Sequence, residues 1–132
     1  MAKLDIGIKR AYEPVGSEDG RRVLVDRIWP RGVSKRVANV DTWEKELAPS
    51  IELRKWFDHD PEKFDRFRER YIDELRERRE DLKELRGWGR KGRLTLVYSA
   101  KDEKYNQAVV LAEILKRGLP RTKPESTVSK SR

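Results

Sequence analysis

Hydrophobic and polar positions divide this chain into short segments of contrasting period. Ile6 and Ile8 alternate with polar neighbours between Leu4 and Lys9, the period-two pattern of a strand. Tyr12 to Gly20 carries Pro14, Gly16, Asp19 and Gly20 and reads as a loop. A second strand, Arg22 to Asp26, follows, and Asp41 with Glu44 three residues on fits a capping box that predicts a short helix through Leu47. Pro49 stops that helix, and Ser50 caps another over Ile51 to Phe57. Asp60 and Pro61 open a long helix, because aspartate accepts free backbone N–H groups and proline tolerates the first helical position. Phe64, Phe67, Tyr71, Leu75, Leu82 and Leu85 form one apolar stripe predicted to reach Arg86, with Gly87 and Gly89 ending the helix. Arg93 to Tyr98 is the third strand, and Glu103 to Arg117 is the last helix, closed by Gly118 and with Asp102 as a candidate cap.

The runs VLVD and LTLVY are nearly continuous in apolar residues and are each followed by a polar turn and helices. Such strands suit a parallel sheet covered on both faces. The fold class expected is therefore α/β: a three-layer domain with a small, mainly parallel sheet, Rossmann-like at the strand carboxyl ends, where ligands gather. One domain is expected over residues 1–118. Residues 119–132 lack apolar periodicity and read as a disordered basic tail.

Composition narrows the chemistry. The chain has 132 residues, no cysteine and one histidine, His59, so disulfides, thiolate nucleophiles, iron–sulfur clusters and histidine pairs are excluded. No metal and no cofactor is expected: Asp58 and Asp60 flank His59 without a metal-loop spacing, and no Walker-type or dinucleotide glycine loop is present. No apolar run approaches the roughly 18 residues of a membrane span, and MAKLDIGIKR has no signal core, which points to the cytoplasm. Charged residues make up 42 % of the chain against two Asn and one Gln, a composition expected of proteins from hot environments. The net charge of +8 is unevenly spread, with +4 over residues 1–36, zero over 61–86, +3 over 87–93 and +3 over 119–132. A neutral long helix weakens a DNA-binding reading without removing it.

The two polar turns hold the candidate site. Arg27 and Arg31 either grip a phosphate or carboxylate bidentately or pair with Asp26, Asp102 or helix carboxylates. Asp26 ends a strand, as a general base or as the group that orients an arginine, and Asp102 is the second catalytic candidate. Arg10, Ser34, Ser99 and Lys101 would add charge and donors. Trp29 offers a ring to a ligand or covers the sheet edge, and Asn106 points into the cleft or into solvent. His59, just before a helix start, reads as structural.

The segments IKRAYEP, DGRRVLVDRIWPRGVSK, WEKELAPSIELRKWFDHDPEKF and LTLVYSAKDEKYNQAVVL, with RY between, resemble the YeaO-like branch of the family called domain of unknown function 488. The resemblance covers Ile6 to Leu115 and implies a compact α/β domain without an established biochemical activity. Other branches carry a cysteine near the end of the third strand and a Cys–His pair in the next helix. Ser99 and Asn106 stand in those neighbourhoods here, so thiol chemistry there is not shared.

The function expected is binding of a small anionic ligand, phosphate- or nucleotide-like, at the strand carboxyl ends, with catalysis left open. The alternative is a nucleic-acid-binding accessory protein using the basic first segment, the 89–93 loop and the tail. A third reading uses Trp43, Trp56 or Trp88 in an exposed aromatic patch that binds another protein. No membrane partner is expected, and no pattern specifies an oligomer.

Overall fold

A computed structural model describes residues 4–120 of the chain, and the predicted tail beyond Pro120 lies outside the described residues. Four parallel strands, β1 (Ile6–Arg10), β2 (Arg21–Leu24), β3 (Thr42–Trp43) and β4 (Leu94–Tyr98), lie in the order β1-β4-β2-β3. Leu96 of β4 sits opposite Ile8 on one side and Val23 on the other, and all five β4 residues are buried. That central position is why LTLVY has no polar alternation.

Helices α2 (Ile51–Phe57), α3 (Phe64–Leu75), α4 (Arg79–Lys91) and α5 (Gln107–Arg117) supply the main core. Phe67, Tyr71, Leu75, Leu82, Leu85 and Leu111 are each at most 2 % exposed against Val23, Leu94 and Leu96. Phe67 stacks on Phe57 at 4.2 Å between centroids. The other face is thinner: Ala11, Leu24 and Val97 lie beneath Trp29, Val40 and Trp43, beside the short α1 (Lys35–Ala38).

Four elements depart from the sequence reading. Asp41 caps no helix: its Oδ2 accepts the Arg22 amide at 2.8 Å and its own amide donates to the Arg22 carbonyl. This pairing extends the sheet into β3, and only a 3₁₀ turn, Lys45–Leu47, remains of the predicted helix. The long helix breaks at a 3₁₀ turn, Arg76–Arg78, because no apolar side chain between Leu75 and Leu82 ties it to the core. Gly87 and Gly89 do not end α4, which runs to Lys91, so the expected 89–93 loop is largely helical. Gly89 instead allows α4 to lie on the first strand, since a Cβ there would meet Ile6 Cδ1 at 3.2 Å. Finally, α5 starts at Gln107, four residues later than predicted, and Ser34 caps the unpredicted α1.

The loop before β2 hides an ion network. Arg22, 2 % exposed, donates to Asp19 at 2.6 Å and to the Ala38 carbonyl at 2.8 Å, while Lys9 reaches Asp19 at 3.0 Å. Burial alone would raise the Asp19 pKa, but the Gly16 amide, Lys9 and Arg22 outweigh it and hold it below the usual aspartate value.

Trp43, Trp56 and Trp88 do not form one exposed patch, for each is half-buried. Trp43 meets Trp29 edge-on at 5.3 Å, Trp56 lies under Lys63 and Arg70, and Trp88 lies under Arg21 at 3.9 Å. No described helix is long and apolar enough to cross a membrane.

Candidate functional site

β2 and β4 run parallel as neighbours, so the turns that follow them emerge side by side at one end of the sheet. Between these turns lies a cleft of about 720 Å³. Tyr12 and the Ile28–Arg31 segment form one side, Ser99 to Asp102 the second, and Arg54 with His59 the third. Asp26 and Gln107 also line it. An adjoining cavity of about 50 Å³, lined by Phe57, Phe67 and Tyr105, shares Arg54, His59 and Gln107 with the cleft.

Asp26 is 7 % exposed. Its Oδ1 accepts from Gln107 Nε2 at 2.5 Å, and its backbone carbonyl accepts from Trp43 Nε1 at 2.7 Å. Its buried Oδ2 has no hydrogen-bond partner among the described residues. Burial pushes the Asp26 pKa above the usual aspartate value, only partly opposed by the nearby Ser99 hydroxyl and amide, the Gln107 amide and the Arg54 charge. Ser99 therefore favours the ionised form through its field while leaving Oδ2 without a donor in bonding geometry.

Of the predicted anion-binding residues, Arg31 and Lys101 line the cleft, are exposed, and make no side-chain hydrogen bond or ion pair among the described residues. Arg27 does not line it. Its guanidinium turns toward the Ala48 and Pro49 carbonyls at 3.0 and 3.3 Å, with Glu46 at 3.5 Å. Arg10 donates to the Ala100 and Ser99 carbonyls at 2.8 and 3.1 Å, holding the Ser99–Asp102 turn in place. Both arginines thus satisfy backbone carbonyls that the ends of strands and helices leave open.

Ser34 lies outside the cleft and spends its hydroxyl on the Val37 amide at 3.1 Å. Asn106, 1 % exposed, faces neither solvent nor the main cleft. Its Oδ1 accepts the Val109 amide at 3.0 Å, capping α5, and its Nδ2 donates to the Asp102 carbonyl at 2.8 Å. Asp102 lines the cleft, but Oδ1 accepts the Lys104 and Tyr105 amides at 2.9 and 3.0 Å. These amides, Tyr105 first, hold its pKa below the usual value, so it stays an anion and organises the turn before α5. Trp29 lines the cleft with its ring packed on Trp43, while Nε1 donates to the Val33 carbonyl at 2.5 Å.

Sequence reasoning missed Arg54, Gln107 and Tyr12 and set His59 aside. Asp58 and His59 occupy the left-handed region at φ 47° and 55°, two consecutive non-glycine residues in a conformation that costs about 1–2 kcal/mol each. This turn after α2 sets His59 on the cleft rim. Gln107 carried a faint signal as the only glutamine, next to a strong cap residue. Among the described residues no group of three or more acidic or histidine side chains is placed to hold a metal ion.

Comparison with known proteins gives a consistent answer. A family model described as the inactive DUF488-N3 subclade matches residues 5–132. The uncharacterized protein YeaO of Escherichia coli K12 is 44 % identical over 113 residues, which cover 86 % of this chain and 98 % of that protein. Uncharacterized proteins of Mycobacterium bovis and Mycobacterium tuberculosis are 43 % identical over 110 residues, covering 83 % of this chain and 92 % of each. No solved structure matches.

Proposed function

The chain belongs to the inactive DUF488-N3 subclade of the domain-of-unknown-function 488 family, and from that premise and its cleft we propose that it binds a small anionic ligand without turning it over. The observation that carries this reading is the convergence of Arg31, Arg54 and Lys101 on one cleft with no protein partner for their charged ends among the described residues. A phosphate or carboxylate there accepts charge-assisted hydrogen bonds from a guanidinium fork and an ammonium group. His59 adds a donor at the rim, and Tyr12 and Trp29 offer ring faces to a nucleotide-like body.

Asp26 gives the ligand a second requirement. A buried oxygen without a donor is an acceptor waiting for an N–H or O–H group, so the fitting ligand carries an anionic end and a donor end. Asp102 is tied to two amides, which supports binding over catalysis, as does the subclade's description as inactive.

The test is thermal unfolding with inorganic phosphate and a series of nucleoside phosphates. A ligand at 100 times its Kd stabilises by about 2.7 kcal/mol. Arg31→Ala with Lys101→Ala abolishes that gain and leaves the ligand-free midpoint nearly unchanged, because neither side chain supports the fold. Undiminished ligand stabilisation in the double variant refutes the site.

A further inference from the structure

We infer that the chain carries a second anion site, a basic groove that holds the phosphodiester backbone of a nucleic acid. The groove, about 430 Å³, lies between α4 and the carboxyl end of α5, next to Leu4, which leads into β1. Because the sheet is parallel, this is the end opposite the Asp26 cleft. Arg79, Arg86, Arg90, Lys116 and Arg117 line it, and no acidic residue does.

Helix electrostatics explains only part of this cluster. Lys116 and Arg117 complement the negative end of α5, and Arg86 donates to the Ile114 and Leu115 carbonyls at 3.2 and 3.0 Å. Arg90 lies in the last turn of α4, where a cation complements the helix dipole, and Arg79 opens that helix beside Glu80 and Asp81. Arg79, Arg90, Lys116 and Arg117 are exposed and have no side-chain hydrogen bond or ion pair among the described residues. The groove therefore concentrates unpaired positive charge with no acidic side chain among its lining residues, and a bound polyanion supplies the compensation.

The shape and floor select among polyanions. Leu4, Leu82, Leu115 and Leu119 line the bottom and are buried or half-buried, so no apolar side chain stands out to enter a bilayer. No aromatic residue lines the groove, so bases have no stacking platform and the contact is with phosphates, without sequence preference.

Fluorescence anisotropy with labelled 20-nucleotide single-stranded and duplex DNA, titrated between about 50 and 200 mM salt, tests the groove in the full chain. One variant combines Arg79→Gln, Arg90→Gln and Lys116→Gln. A control combines Lys35→Gln, Arg36→Gln and Lys55→Gln, exposed cations elsewhere that change net charge equally. The groove variant is expected to weaken binding about 10-fold or more at low salt and to flatten the duplex salt slope by roughly 2–3, whereas the control shifts affinity less than about 3-fold. Circular dichroism confirms that both fold. No wild-type binding at low salt, equal losses in the two variants, or groove-dependent binding confined to anionic vesicles each overturns the inference.

Discussion

Asp26→Asn is expected to stabilise the protein at neutral pH and to leave it unchanged in acid. In the native state the carboxylate is 7 % exposed, with Oδ1 on Gln107 and Oδ2 without a donor. An unsatisfied buried acceptor costs about 1–3 kcal/mol, and more when it carries charge. The asparagine keeps an oxygen for Gln107 and replaces the orphaned anionic oxygen with a neutral amide, which still lacks a partner. The net gain is therefore put at about 1–2 kcal/mol at pH 7, a shift of roughly 3–6 °C in midpoint for a domain of this size. Because burial raises the native pKa above the unfolded value, the wild type is favoured below the unfolded pKa and loses that contribution as pH rises through the native pKa. The gap between variant and wild type should accordingly open with rising pH and then level off. Urea denaturation of both proteins at a series of pH values measures it. A variant less stable than wild type at pH 7, or a gap independent of pH, refutes an ionised, unsatisfied Asp26. The same variant should lose affinity for the cleft ligand if Oδ2 meets its donor end.

Arg22→Met removes one partner of a buried pair and leaves Asp19 with Lys9 and the Gly16 amide, so a loss of about 3–5 kcal/mol in urea denaturation is expected. Gly20→Ala should cost about 2–4 kcal/mol or prevent folding: φ is 66° there, and a Cβ would fall 2.2 Å from the Arg93 carbonyl oxygen. A near-neutral melting temperature for it would show that the loop yields. Arg27→Ala should lower stability by about 1–3 kcal/mol, by leaving the Ala48 and Pro49 carbonyls without their donor, yet preserve ligand-induced stabilisation. Loss of ligand response with unchanged stability would return Arg27 to the site.

The sheet was legible because its two central strands are buried on both faces, and VLV and LTLVY have no other stable place. Local rules held wherever the cap and its helix are neighbours in sequence, as at Ser50 for α2 and at Asp60 with Pro61. They failed where a distant partner competed. Asp41 met a strand N–H before it could cap a helix, and Gly89 faces a strand more than eighty residues away in the chain instead of ending α4. A capping box and a helix-ending glycine are local patterns, and neither contains information about what the sheet needs at that point.

The arginines follow the same logic. Arg10, Arg22 and Arg27 each precede or end a segment whose neighbour exposes open carbonyls, and their five-donor heads are consumed there. Arg31, Arg54, Arg79 and Arg90 make no such bond among the described residues and keep their charge for solvent and for anything anionic that arrives. A count of cations along the chain cannot separate these two populations, because the distinction rests on which backbone groups the fold leaves unpaired. Once those groups are assigned, two clusters of unpaired cations stand out, one at each of the two pockets. One pocket combines them with a buried acceptor and aromatic walls, which suits a small ligand with two chemistries. The other combines them with an apolar floor and no acceptor among its lining side chains, which suits a repeating phosphate. Selectivity between these ligands then comes from Asp26 and the aromatic walls, since the cations alone would attract both.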